Sequence, residues 1–376
     1  MFRILNNEPK AQNFKSESGV ITILFAIIVL MGVMVGVFAL VVDGGQLMLE
    51  RRVVQNVSDA SALYLAQKCA LNENCASNDA TYYAQNNSPD LNTTISVICG
   101  SAPLPSCSPV SGDPKDCQST PTGGSQFVRV RAQTQTVDGG SAILPAFAGI
   151  LGGADVTDGT WTMRACSQVL WGKSDQVNVT LPLSISVCSY KTPTNSVNQE
   201  LNQVDIQQFS PTNQQCSGTS SLDGIPLTGT DNGLAVVNIP GMDTACKQGT
   251  RVSVGDEVEY IEPGNNGELL APVCSGLYAR LSEAIGEQIY IPVFRDTSVA
   301  DRKRKMTVIS FARFEISGVK YGGVVAPRGS DVKTSSSSCS SLCIRGKFIR
   351  GVTPVGTIST DTSIPALGAM AVELIP

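Results

Sequence analysis

Hydrophobic and polar positions divide the chain sharply near its start. Residues 19–42, GVITILFAIIVLMGVMVGVFALVV, carry no charge and no proline, and Thr22 is the only side-chain hydroxyl among them. At about 1.5 Å per residue a helix of this length rises by roughly 36 Å, enough to cross a hydrocarbon core of about 30 Å with some tilt. Only a helix satisfies its own backbone hydrogen bonds in lipid, so the run predicts a transmembrane helix. Glu17 and Asp43 give it clean polar ends, which a helix buried in a soluble core would not need. The run is longer than the apolar region of a cleaved secretory signal, typically about 7–15 residues, and Val42-Asp43-Gly44-Gly45 is a poor cleavage site. An uncleaved anchor is expected. Within it, Gly32 and Gly36 have the small-xxx-small spacing that lets two helix backbones approach closely.

After Gly45 the pattern becomes that of an amphipathic helix. Leu47, Val54, Val57, Ser61 and Tyr64 recur at three- and four-residue spacing or its multiples, while Arg51, Arg52, Asp59 and Lys68 fall elsewhere. The chain is therefore expected to leave the membrane as a helical stalk over 43–70. A lone amphipathic helix is marginal in water, so the stripe of Leu47, Val54, Val57 and Tyr64 must contact the domain or a partner.

Further along, Tyr82-Tyr83-Ala84 extends a short helix and Ile95-Ser96-Val97-Ile98 reads as a strand. Cys99, Cys107 and Cys117 sit among prolines, the pattern of a loop held by disulfides. The alternation at Phe127-Val128-Arg129-Val130-Arg131-Ala132 signals a half-buried strand. A short apolar helix at 143–151 and a strand at 161–169 complete an α+β unit ending near Trp171-Gly172. Strand signals resume at 177–181 and 183–187, and a polar stretch over 191–215 reads as a loop or insert. Strands at 289–294 and 306–316 predict a hairpin with Arg302-Lys303-Arg304-Lys305 at its tip, and Phe348-Ile349 and 372–375 supply further strands.

The cysteines set the compartment. All twelve, Cys69, Cys75, Cys99, Cys107, Cys117, Cys166, Cys188, Cys216, Cys246, Cys274, Cys339 and Cys343, lie beyond the apolar helix. An even count confined to one side argues for an oxidising environment and a disulfide framework whose connectivity the sequence leaves open. Arg3, Lys10 and Lys15 precede the helix and Arg51 and Arg52 follow it, so the positive-inside bias is slight. The cysteines place the N-terminus in the cytoplasm and the bulk outside, on a cell membrane. A net charge of −5 offers no basis for a nucleic-acid partner.

Candidate chemistry changes the picture little. The chain has no histidine, which removes Ser-His-Asp and Cys-His hydrolases and imidazole zinc sites. Ser330-Asp331-Val332-Lys333 is formally a Ser-Lys pair, but it lies beside a serine run and not at the start of a predicted helix. Cys339 and Cys343 read as a disulfide element in preference to a metal site. Asp256, Glu257 and Glu259 read as a solvated strand edge, and the basic run 302–305 as an exposed tip kept soluble by charge. No cofactor, metal or catalytic centre is expected.

The residues do carry a family resemblance. The apolar helix running into Val42-Asp43-Gly44-Gly45-Gln46-Leu47, the pair Arg51-Arg52 and the string Gln55-Asn56-Val57-Ser58-Asp59-Ala60-Ser61-Ala62 resemble the N-terminal segment of TadE/TadG-like proteins of the Flp (tight adherence) pilus machinery. The unit from Phe127 through Phe147-Ala148-Gly149 to Met163-Arg164-Ala165 is similar to their membrane-proximal domain. Leu181-Pro182-Leu183, Ile291-Pro292-Val293-Phe294, Phe311-Ala312-Arg313-Phe314 and Cys343-Ile344-Arg345-Gly346-Lys347-Phe348 resemble TadG-related proteins of actinobacterial type. Two departures matter. Pseudopilins of this system are cut after a glycine and carry Glu at the fifth mature position, which here is Leu24 after a cut at Gly19. The metal motif D-x-S-x-S of some TadG proteins is approached only by Asp59-Ala60-Ser61-Ala62-Leu63, which lacks the second serine.

The expected architecture is α+β: a cytoplasmic head over 1–18, a single transmembrane helix over 19–42 continuing into a stalk over 43–70, then a mostly β, disulfide-stapled extracytoplasmic region. That region divides into a membrane-proximal α+β domain over 71–172 and a mostly β domain over 173–376. The resemblance implies a non-enzymatic component that assembles or anchors a Flp/Tad-type pilus, with the membrane, other assembly proteins or pilin subunits, and cell-wall polymer as partners. The alternative is a surface adhesin or ligand-binding ectodomain unrelated to pili.

Overall fold

The computed structural model describes residues 17–73, 75, 77–88, 93–108, 126–134, 163–190, 203–207, 221–222, 225–226, 232–243, 246, 248–261, 276–300, 303–321, 324–326, 342–354, 356–361 and 363–375. In chain order the first elements are α1 (Glu17–Ala70), α2 (Ser77–Asn86), β1 (Thr93–Gly100), β2 (Gln126–Thr134), β3 (Arg164–Lys173), β4 (Gln176–Val179), β5 (Leu183–Ser186), β6 (Val204–Gln207), β7 (Ser221–Leu222) and β8 (Ile225–Pro226). They are followed by β9 (Leu234–Asn238), β10 (Thr250–Ser253), β11 (Glu257–Tyr260), α3 (Leu277–Glu283), β12 (Gln288–Ala300), β13 (Lys303–Tyr321), β14 (Val324–Ala326), β15 (Leu342–Ile349), β16 (Gly351–Val352) and β17 (Ala369–Ile375). The expected helix at 143–151, the pair Ser330 and Lys333, and Cys117, Cys216, Cys274 and Cys339 lie outside the described residues.

Membrane span and stalk are one helix. α1 is 54 residues long and passes through Asp43-Gly44-Gly45 without a break, as expected of a transmembrane helix continuing into a stalk. Two adjacent glycines weaken a helix by about 1 kcal/mol each relative to alanine, and the long proline-free flanks absorb that. The end of α1 is sharply defined. Asn72 takes a left-handed conformation with φ 56°, Asn72 N–H donates to Cys69 O at 3.1 Å, and Glu73 N–H donates to Lys68 O at 3.0 Å. These bonds occupy the last helix carbonyls in the Schellman arrangement, and the Lys68–Glu73 ion pair closes over them.

The first sheet has the order β1-β2-β3-β17-β16, antiparallel except for β16 beside β17. Strand alternation turns Val128, Val130, Val169 and Trp171 toward α1, which answers with Ala62, Leu65 and Ala66 in one buried cluster. The C-terminal strand β17 therefore belongs to this sheet, although it lies within the 173–376 segment read from sequence as the second domain.

The second sheet runs β11-β9-β5-β12-β13-β15-β6, and β11 also pairs with β13. The pairing β11–β9–β5–β12–β13 thus returns to β11 and closes a ring of five strands. Apolar side chains are buried on both faces of its central strands, with Ile291, Phe314 and Ile316 in one cluster and Val237, Met306 and Phe311 in another. Three expectations are corrected here. β6 is a strand inside the stretch 191–215 that read as loop, pairing with β15. The residues Lys303, Arg304 and Lys305 belong to β13, opposite Ala300, Val299 and Ser298, because the hairpin strands extend almost to the turn. Glu257 and Glu259 are not on a free edge, since β11 is hydrogen-bonded on both sides, and Lys305 pairs with Glu257 at 3.0 Å.

The two sheets meet around β16 and β17. Ser310 Oγ donates to Pro365 O at 2.7 Å, Tyr290 OH donates to Val352 O at 2.9 Å, and Ala312 bridges Gly368. β13 itself requires glycine on its neighbour: a Cβ on Gly346 would lie 2.1 Å from the Glu315 carbonyl oxygen.

Candidate functional site

The environment of α1 changes completely along its length. Val20–Phe38 is the one helix among the described residues long and apolar enough to cross a membrane, and none of it is buried inside the protein. This uncovered apolar helix suggests single-pass membrane anchoring. Gly32 and Gly36 lie on it with nothing within 4 Å of where a Cβ would stand, so the close-approach face they form is open.

The stalk half is covered by the chain's own sheet. Val54 and Val57 are fully buried against Ala84, Ala132 and Ala165, and Ser58 Oγ donates to Val130 O at 2.9 Å. The stripe predicted as a contact surface is therefore filled internally, and Val54 and Val57 are not available to a partner. Leu47 is half-buried below them. Tyr64 is half-buried and stacks on Tyr83 of α2, ring centroids 4.6 Å apart and planes 6° from parallel. The face opposite the stripe carries Met48, Leu49, Arg51 and Arg52, all exposed.

Disulfides fasten the ends of these elements. Cys69–Cys75 closes the chain just past α1, with Cα atoms 4.9 Å apart, and Cys99–Cys107 ties the end of β1 to the following loop, also at 4.9 Å. Cys166, Cys188, Cys246 and Cys343 are disulfide-bonded as well. No cysteine among the described residues is free.

In the second sheet the edge strand β6 borders a cleft of about 270 Å³ lined by Cys188, Ser189, Asp205, Gln207, Asn232 and Gly233. Asp205 accepts two hydrogen bonds from Arg345, both 2.7 Å, and this bidentate pair holds the Arg345 pKa above its ordinary value. Tyr190, Phe348 and Phe314 form an aromatic cluster with tilted and edge-on contacts, centroids 4.8 and 4.9 Å apart. Burial pushes the Tyr190 phenol up to about 12, with nearby Arg350 pulling weakly the other way. Tyr290 is also raised by burial, against a smaller pull from Arg313. By sequence, Cys188 stands only as a disulfide candidate, and Phe314, Arg345 and Phe348 only within the strings that resemble TadG-related proteins. Asp205 and Arg345 are 140 positions apart, and no local pattern links them. No group of three or more metal-ligating side chains occurs among the described residues.

No curated protein and no solved structure matches the chain. A family model does match at residues 19–67, the Tad family described as "Putative Flp pilus-assembly TadE/G-like". The matched segment is the part of α1 that holds the apolar span, the glycine pair, the arginine pair and the buried stalk stripe. The expected likeness of the C-terminal half to TadG-related proteins falls outside it. The match supports a pilus-related role, and by it the N-terminal segment of this chain is TadE/TadG-like.

Proposed function

We propose that the chain is a non-enzymatic, membrane-anchored component that assembles or anchors a Flp/Tad-type pilus at the cell envelope. The observation that carries this reading is a coincidence: the family match at 19–67 lies within one unbroken helix that begins uncovered and apolar and ends as the core of a folded layer. The mechanism is scaffolding. α1 fixes the chain in the bilayer with its N-terminus in the cytoplasm, and the disulfide-bearing body stands outside at a distance set by a rigid helix. Other assembly proteins or pilin subunits dock on that body, on surfaces other than the filled face of Val54 and Val57.

The reading is tested by piliation. Cells lacking the chain should lose surface filaments, and the full chain should restore them while a chain without residues 17–42 should not. Normal piliation in cells lacking the chain contradicts the proposal and favours the adhesin alternative.

A further inference from the structure

About three turns of α1 separate the apolar span from the first fully buried stalk residue, Val54. On the face turned away from the sheet, Met48 is 71% exposed and Leu49 62%, and Arg51 and Arg52 are exposed beside them. Spacings of three and four residues bring Arg51 and Arg52 beside Met48, and Leu49 beside Arg52. Neither arginine forms an ion pair with a described residue. Their height on the helix gives these side chains a common neighbour, the bilayer surface.

The rise from Val42 to Arg51 is about 14 Å, and the headgroup layer on one side of a bilayer fills roughly 5–7 Å of that. The remainder is no more than about one Debye length, roughly 8 Å at physiological ionic strength, and any tilt of the helix shortens it. Side chains on an α-helix lean toward its N-terminus, which for this segment is the membrane side whichever way the chain is oriented. Met48 and Leu49 therefore lean toward the bilayer, and Arg51 and Arg52 can lay their stems along the helix and carry their guanidinium groups down to it.

We propose that this face of α1 seats anionic phospholipid headgroups. Arg51 and Arg52 engage the phosphates, and Met48 and Leu49, lower on the helix, lean toward the outer edge of the headgroup layer. The inference rests on the membrane-anchored reading above. Its consequence is that the lipid composition around the anchor helps to set how the body stands over the bilayer.

The test uses the full chain in vesicles of phosphatidylcholine and phosphatidylglycerol in equal amounts. Resistance to alkaline carbonate extraction reports anchoring alone, and release under these conditions overturns the anchored reading whatever the lipid preference. Native mass spectrometry after detergent release then counts the lipids retained. An arginine near an anionic surface changes lipid preference by roughly fivefold. The wild-type chain should retain phosphatidylglycerol over phosphatidylcholine, Arg51→Gln with Arg52→Gln should reduce that preference about tenfold or more, and Arg51→Lys with Arg52→Lys should largely keep it. A wild-type chain with no preference, or a glutamine variant with the wild-type preference, overturns the inference. Cross-linking between copies in phosphatidylcholine alone that is lost in the glutamine variant also overturns it, and assigns the face to a second copy.

Discussion

Leu65→Ala, set against Met48→Ala, asks whether α1 really changes role along its length. Leu65 is 0% exposed and packs in the same cluster as Trp171, whereas Met48 on the same helix is 71% exposed. Truncating leucine to alanine removes three carbons, worth about 2.4 kcal/mol at about 0.8 kcal/mol per buried methylene. The cavity left between helix and sheet brings the expected cost to about 3–4 kcal/mol. Met48→Ala removes no buried surface and should cost under about 0.5 kcal/mol. Trp161 and Trp171 are the chain's two tryptophans, so in a Trp161→Phe background fluorescence reports Trp171, which is 1% exposed. Thermal unfolding followed by that signal, with the chain in detergent and its disulfides intact, should fall substantially for Leu65→Ala and stay near the parent for Met48→Ala. Equal midpoints for the two variants would refute the packing of α1 on the first sheet.

Three further outcomes follow from the second sheet and its strands. The Tyr190 phenol is raised from 10.0 to about 12, so the folded state holds its proton more tightly than the unfolded state. Its contribution is fully present below pH 10 and is lost between pH 10 and about 12, so denaturation measured across that window should show a stability loss that Tyr190→Phe reduces. An unchanged slope in the variant would contradict the burial of the phenol; Tyr290, raised in the same direction, accounts for a residual slope. Gly346→Ala places a Cβ 2.1 Å from the Glu315 carbonyl and 2.5 Å from the Phe314 ring, and a lowered unfolding midpoint equivalent to at least about 1–3 kcal/mol is expected. Arg345→Lys keeps the charge but loses the two-pronged bond to Asp205, and a loss of about 1 kcal/mol in denaturant melts is expected, with no change counting against that bond.

The membrane span was legible because the solvent dictates it: a charge-free run of that length has one stable conformation in lipid. The stalk stripe was legible as periodicity, but periodicity does not say what covers a face. Val54 and Val57 turned out to be covered by Ala132 and Ala165, from strands far along the chain. The continuation of the apolar helix into the stalk was legible too: local propensity at Gly44 and Gly45 favours a break, but the helical segments on either side override it. β6 was missed. Val204-Asp205-Ile206-Gln207 alternates correctly, but four residues among Asn and Gln give a weak signal, and the strand is held by pairing to β15 and by the Arg345–Asp205 bond. β17 was read as a strand, yet its place beside β3 could not be, because the pairing of Leu374 with Val169 links positions with no local pattern in common. The ring through β11 is hidden in the same way.

The central claim is that one helix both anchors the chain and founds its body. Surface filaments sheared from cells, with the remaining membranes collected separately, and the chain's N-terminus located in each fraction by mass spectrometry, test it most directly. The account predicts recovery with the membranes and an N-terminus ahead of Val20. Recovery in the filament fraction with an N-terminus at Val20 would make the chain a processed pilus subunit and contradict the account.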